Sequence, residues 1–217
     1  MHYIFGDIHG CASSLAGLYG KLKRTLRRED ILVFLGDYID RGKDSCEVIQ
    51  FLLDLAEKHP AIFLKGNHES MLLNYLAGRD HQGLYFYNGG EYTLESYRRE
   101  YGVASIPDRH MEFFRALKLY YETDNFIAVH AGLNPTIETV RRQDEEELLW
   151  IRERFYFADR QWEKTVVFGH TPVACLTGNM RQVYRDEWRN IIGIDTGAVY
   201  GGVLTCLRMP DGRIFQY

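Results

Sequence analysis

Long hydrophobic runs are missing from this chain, and so is any dense set of cysteines. No stretch of the 217 residues approaches the ~20 apolar residues of a membrane-spanning helix. The cysteines (Cys11, Cys46, Cys175 and Cys206) lie far apart and form no Cys-x-x-Cys pair. That argues against a zinc ribbon or a disulfide-stapled scaffold and favours free thiols in a reducing compartment. Only 5 prolines occur, and no repeat or low-complexity linker divides the chain. Charge of one sign is also scarce. A net charge of -4 and a pI near 6.1 give no general footprint for nucleic acid. The apolar run Tyr3-Ile4-Phe5 starts almost at Met1, which leaves no room for a secretion signal. The expected location is the cytoplasm, without membrane or nucleic-acid partners.

What is present is material for a core. Hydrophobic residues make up 46% of the chain, enough for one domain over residues 1–217. Apolar runs at 2–5, 31–35 and 61–64 read as strands bounded by turn residues. Leu15, Leu18, Leu22 and Leu26 recur at helical spacing and predict a helix over 13–27. Val48, Phe51, Leu52 and Leu55 predict another, opened by an Asp44/Glu47 capping box and followed by Pro60. Strand, polar loop and helix thus alternate, the signature of helices on a parallel sheet in an α/β fold.

The loops keep step. Asp7, Asp37 and Asn67 are each thirty residues apart, each just past a strand and just after a glycine. Right-handed crossovers would set these loops side by side along one sheet edge. The second loop, Gly36-Asp-Tyr-Ile-Asp-Arg-Gly42, adds Asp40 and Arg41. An acid pair with an arginine can hold a cation and an anion together, although alone it could be a surface turn.

From Arg79 the pattern changes. Helices are expected near 91–101 and 108–117, preceded by an aromatic, glycine-rich loop from His81 to Gly90. Residues 79–117 read as a small helical cap insertion, too short to fold alone. Tyr85, Phe86 and Tyr87 could stack a nucleobase or pack the cap, and packing is the preferred reading. Further on, 118–122 and 125–129 read as a strand pair ending at His130, and 165–168 as a strand ending at His170. Asp144 to Trp150 reads as an acidic helix, 190–194 as a strand, and Asp211-Gly212 as a hairpin turn joining two strands.

Asp7, His9, Asp37, Asn67, His130 and His170 therefore gather just beyond strand ends. All are oxygen or nitrogen donors without a thiolate, which suits Mn²⁺, Fe or Zn²⁺. They outnumber the ligands of one tetrahedral ion and suit a two-metal centre. His2, His59, His81 and His110 read as packed or surface residues.

In this order, Gly6-Asp-Ile-His-Gly, Gly36-Asp-Tyr-Ile-Asp-Arg-Gly, Gly66-Asn-His-Glu, His130-Ala-Gly and Gly169-His-Thr-Pro resemble the metal-dependent phosphoprotein phosphatase family. Leu148-Leu-Trp-Ile-Arg152 and Ile194 to Gly202 resemble its bacterial and phage branch. The resemblance implies the calcineurin-like fold, a four-layer αββα sandwich of two mixed sheets flanked by helices. It implies Asp7 and His9 on one divalent ion, Asn67, His130 and His170 on a second, and Asp37 on both. Mn²⁺ is the expected metal. A hydroxide shared by the ions would attack phosphorus in line. Arg41 and Arg152 would grip the phosphoryl oxygens beside Asn67, His68 would protonate the leaving oxygen, and Asp40 would orient His68. The Ser-Ala-Pro-Asn-Tyr segment of the eukaryotic enzymes has no counterpart, and their regulatory tails are missing.

The expected function is hydrolysis of phosphoserine and phosphothreonine, with phosphotyrosine a further class, in a phosphoprotein or phosphopeptide. The alternative is a symmetrical bis(5'-nucleosyl)-tetraphosphatase that cuts diadenosine tetraphosphate to ADP. A phosphoprotein-binding relic is the non-enzymatic reading, and the complete ligand set speaks against it.

Overall fold

A computed structural model describes all 217 residues. The first half runs β1 (His2–Phe5), α1 (Ala12–Leu22), β2 (Ile31–Phe34), α2 (Ser45–Ala56), β3 (Ala61–Phe63) and α3 (Asn67–Leu76). Residues 79–117 contribute α4 (Leu84–Tyr87), α5 (Gly90–Tyr101) and α6 (Asp108–Ala116). Next come β4 (Tyr120–Glu122), β5 (Phe126–Val129), α7 (Glu145–Trp150), α8 (Glu153–Tyr156), β6 (Thr165–Phe168) and α9 (Ala174–Thr177). The chain closes with β7 (Tyr184–Asp186), β8 (Ile191–Gly193), β9 (Thr205–Met209) and β10 (Arg213–Gln216). One five-stranded sheet has the order β10-β9-β1-β2-β3 and the other β4-β5-β6-β8-β7. Both are mixed: β1-β2-β3 and β5-β6-β8 are parallel, while the remaining pairs are antiparallel.

The strands carry apolar residues on both faces, and that makes the molecule layered. In β2, Leu32 and Phe34 point into a cluster shared with α1, α2 and α6, while Val33 points the other way. In β6, Val166 and Phe168 pack with Phe155 and Leu148 of the outer helices, while Val167 points inward. The inward set of Ile4, Val33, Phe126, Ala128, Val167 and Ile192 forms the seam between the sheets. A strand buried on both faces reads as a continuous apolar run, because side chains alternate across it. Helix, sheet, sheet and helix result, the four-layer arrangement expected.

Local departures have local causes. Helix α1 stops at Leu22 rather than Arg27: Thr25 turns its amide (2.7 Å) and its hydroxyl (2.9 Å) onto the Leu22 carbonyl, tightening the last turn. The Asp44/Glu47 capping box does not form, since Asp44 makes no side-chain cap and instead meets Arg99 at 3.1 Å. Residues 84–87, expected in a loop, make one helical turn because the Asp80 carboxylate accepts the amides of Leu84 (2.9 Å) and Tyr85 (3.0 Å). Of the aromatics there, Tyr85 is buried against Tyr75 with rings 5.1 Å apart, and Tyr87 is exposed. Strand β7 and helix α9 had no sequence signal. No helix is long and apolar enough to cross a membrane.

Candidate active site

Just past each parallel strand stands a buried polar residue: Asp7 and His9 after β1, Asp37 after β2, Asn67 after β3, His130 after β5, His170 after β6 and Asp195 after β8. Loops from both sheets thus meet at one edge, where open α/β sheets bind ligands. The backbone is bent sharply to deliver them. Of the six non-glycine residues with positive φ, five are His9, Asp37, Asp40, Arg41 and His170. Such conformations cost energy and persist where surrounding structure over-determines them. Two glycines let the loops close on one another: a Cβ on Gly66 would strike the Asp37 carboxylate, and one on Gly169 the Asp7 carboxylate.

Asp37 is the shared group. Its carboxylate joins His9 and His68 in one potential metal-holding set, and His130 and His170 in a second. His9 donates Nδ1–H to the Ile39 carbonyl at 2.8 Å, leaving Nε2 to face Asp37 Oδ2 at 3.4 Å. Burial lowers the His9 pKa to about 3, so the ring is neutral and can act as a ligand. His130 likewise donates Nδ1–H to the Leu35 carbonyl at 3.0 Å. Its Nε2 lone pair then faces Asn67 Oδ1 at 2.9 Å and Asp37 Oδ1 at 3.4 Å. His170 Nδ1 lies 2.9 Å from the same Asn67 oxygen, and its backbone N–H donates to Asp7 Oδ2 at 2.9 Å. Asp7 Oδ1 is buried without a partner. Burial, then Asp195 and Asp37, push the Asp7 pKa up.

Lone pairs that face lone pairs in a buried site, together with an orphaned carboxylate oxygen, are what divalent cations satisfy. The residues present therefore fit the metals. The backbone-held Nδ1 of His9 and of His130 fixes ring orientation, as outer-shell partners do for metal-bound histidines.

Around this cluster sit two arginines and a further histidine. Arg41 NH1 donates to His9 Nε2 at 2.8 Å, the nitrogen that would be offered to a metal. Arg152 reaches Thr171 Oγ1 at 3.0 Å beside His170. Arg154 instead pairs with Glu147, and Arg142 is exposed, so of these nearby arginines Arg152 borders the site. His68 donates Nδ1–H to Asp40 Oδ2 at 2.7 Å, while its buried Nε2 has no partner and lies 3.9 Å from Asp37 Oδ2. Burial opposes charge on His68, but Asp37 and Asp40 outweigh it and raise its pKa. An imidazole held in this way suits proton donation, although its geometry would also allow it to bind metal.

Sequence reasoning passed over some of the residues gathered here. Asp195 was seen only within a family motif, yet it is buried beside Asp7, and burial lifts its pKa to about 6. Glu69 is fully buried and binds two loops together, accepting the amides of Asp37 (2.9 Å), Tyr38 (2.8 Å) and Gly66 (2.9 Å). Thr93 of α5 reaches Asp40. The glutamate stands three residues after Gly66, the half of a capping box that sequence could have shown. Thr93 left no signal, because its partner is remote in sequence.

Known proteins agree with this picture. A family model described as calcineurin-like phosphoesterase matches residues 3–201. The asymmetrical bis(5'-nucleosyl)-tetraphosphatase PrpE of Geobacillus sp. (strain WCH70) is 32% identical over 96% of this chain and 90% of its own. The serine/threonine-protein phosphatase 1 of Salmonella typhimurium (strain LT2) is 31% identical over 95% of this chain and 91% of its own. A crystal structure provisionally named a diadenosine tetraphosphatase covers 100% of this chain and 92% of that one, at TM-score 0.73 and 26% identity. A cold-active protein-tyrosine phosphatase of a Shewanella species shares the fold at TM-score 0.63 and 17% identity, over 99% of this chain and 79% of its own. Motifs in order, paired mixed sheets, ligand-rich loops at their common edge and a nearly full-length match lead to one conclusion: the chain belongs to the calcineurin-like phosphoesterases and is a metal-dependent phosphoesterase.

Proposed function

We propose that this chain hydrolyses bis(5'-nucleosyl) tetraphosphates, with Mn²⁺ as the working metal. One observation carries the choice of substrate: each arginine of the phosphate grip has an exposed aromatic ring nearby. Tyr200, 47% exposed, lies with its ring centroid 5.6 Å from the Arg41 guanidinium carbon. Trp150, 39% exposed, stands two residues before Arg152, its ring 6.1 Å from that of His170. Base–aromatic stacking contributes about 1–3 kcal/mol per base, so a ring near each arginine suits a substrate with a nucleoside at each end of a phosphate chain. Relatives named asymmetrical tetraphosphatases support the same reading, which moves the preference from the phosphoprotein expected from sequence to its dinucleotide alternative, and they favour cleavage off centre over that alternative's symmetrical cut.

Asp7, His9, Asp37, Asn67, His130 and His170 would hold the metals. When bound, divalent ions lower the pKa of a water and neutralise phosphoryl charge. Arg41 and Arg152 orient the phosphoryl oxygens as planar, permanently charged forks. His68 carries a proton on Nε2 and gives it to the departing oxygen as the P–O bond breaks. Asp40 holds the opposite nitrogen and favours the charged ring.

A phosphoprotein substrate is the second reading, favoured by the Salmonella relative and by a cavity of about 420 Å³ beside Trp150 and Arg152. Asp144, Glu146, Glu147 and Glu153 line that cavity, which would suit a basic peptide. Incubation with Mn²⁺ and diadenosine tetraphosphate, beside phosphopeptides, decides between them. ATP and AMP as products are expected. ADP alone would restore the symmetrical cut, and phosphate release from phosphopeptides without dinucleotide cleavage would overturn the proposal.

A further inference from the structure

Helix α5, which belongs to the insertion rather than to the metal loops, lies along the loop that carries Asp40 and Arg41. Four positions on one face make the contact, spaced as a helix requires. The Gly89 carbonyl at the start of α5 accepts Arg41 N–H at 3.3 Å, and Ser96 Oγ accepts Cys46 N–H at 2.9 Å. Arg99 donates to the Lys43 carbonyl at 2.9 Å. Between them stands Thr93, buried completely, with Oγ1 2.7 Å from Asp40 Oδ1, 2.9 Å from Asp40 N and 3.0 Å from Ser45 Oγ.

The hydroxyl has a single hydrogen. A carboxylate at 2.7 Å takes it, so Thr93 donates to Asp40 Oδ1 and accepts from Asp40 N–H, with Ser45 as its other donor. Asp40 is fully buried, and its other oxygen, Oδ2, accepts from His68 Nδ1. Its backbone also sits at φ 68°, a conformation a non-glycine residue keeps only when held. One threonine therefore meets both the carboxylate and the backbone N–H of the residue that orients His68, with Ser45 Oγ a more distant second acceptor for that N–H at 3.2 Å.

We propose that Thr93 is a positioning residue for proton transfer: it aims Asp40, and through Asp40 the His68 imidazole, at the leaving oxygen. The proposal rests on the reading of His68 as proton donor. In that step the His68 Nε2–H bond breaks as the leaving-oxygen–H bond forms, and Thr93 itself exchanges nothing with substrate.

Leaving groups separate this role from a merely structural one. 4-Nitrophenolate departs with little help from an acid, whereas phenolate needs the proton, so the two aryl phosphates report on the donor. With Mn²⁺-loaded enzyme, Thr93→Val should lower kcat for phenyl phosphate about tenfold more than for 4-nitrophenyl phosphate, a part of the ~10²–10⁴-fold that general acids supply. KM and bound Mn²⁺ should stay as in the parent. Thr93→Ser, which keeps the hydroxyl, should restore the parent ratio, and Thr93→Val should add nothing in a His68→Asn background. Thr93→Ala serves the same comparison should the valine variant not fold.

Equal losses on both substrates, no rescue by serine, or an additive effect on His68→Asn would overturn the role of Thr93. If His68→Asn itself shows no leaving-group bias, the proton-donor reading falls and takes this assignment with it. A biased His68→Asn with an unbiased Thr93→Val overturns the Thr93 assignment alone.

Discussion

His68 is the residue whose role most needs separating from its neighbours. Its Nε2 is buried, unpartnered and within 3.9 Å of Asp37, so proximity alone would allow it to bind metal. The 2.7 Å bond from Nδ1 to Asp40 and the raised pKa favour a proton carrier. His68→Asn is expected to lose turnover by about 10²–10⁴-fold on poor leaving groups while keeping its metal, as measured by elemental analysis of the purified variant. Equal loss of metal would make His68 a ligand. At this scale the sequence was informative about residue type and place: Asp7, Asp37 and Asn67 in step, and histidines at strand ends. It placed Asp195 in a motif without a role, left the spacing of Glu69 after Gly66 as its one signal for that residue, and was silent about Thr93, whose partner is far away along the chain.

At the scale of elements, the apolar runs carried the most reliable information. Strand β2 has Phe34 stacked between Phe5 and Phe63, with ring centroids 4.5 and 5.2 Å apart. Removing such a ring costs lost burial and a cavity, about 3–5 kcal/mol for a buried Phe→Ala change. Urea unfolding of Phe34→Ala should show that loss as a lower midpoint with an unchanged slope. A loss below about 1 kcal/mol would mean that Phe34 is not packed between its two neighbours as described. Helix ends were less legible. A capping box at Asp44 satisfied the sequence rule, but Arg99, brought over by α5, offered Asp44 a charged partner instead. The end of α1 was set by Thr25, a residue that the leucine period does not register.

For the whole molecule, the notable balance is between buried carboxylates and the cations that would meet them. Asp7, Asp37 and Asp195 converge where the two sheets meet, all buried. Without metal, Asp195 has its pKa raised by burial from 3.8 to about 6. The folded form then binds more protons than the unfolded one between those values, so this group's contribution makes stability fall as pH rises through that window. The slope is at most about 1.4 kcal/mol per pH unit. Chelator-treated protein should therefore lose stability from pH 4 to 6 more steeply than its Asp195→Asn variant, as read by urea unfolding at each pH. Identical slopes would show that Asp195 is not desolvated. Mn²⁺ at about a hundred times its dissociation constant should add about 2.7 kcal/mol at neutral pH, and a thermal shift on titration checks it.

The sequence by itself determined the parts: doubly buried strands, glycine-led polar loops and a thiolate-free donor set. Those follow from local rules, because apolar runs, turns and residue chemistry are properties of neighbouring residues. Its ordered motifs also carried the family. What only the tertiary structure decided was the meeting of the two sheets' loops, which puts His130 and His170 of one sheet beside Asp37 and Asn67 of the other. The same is true of the five left-handed site residues, the Glu69 tie and the Thr93 contact with Asp40. Each depends on groups remote in sequence, and packing of the seam and of α5 is what brings them within reach.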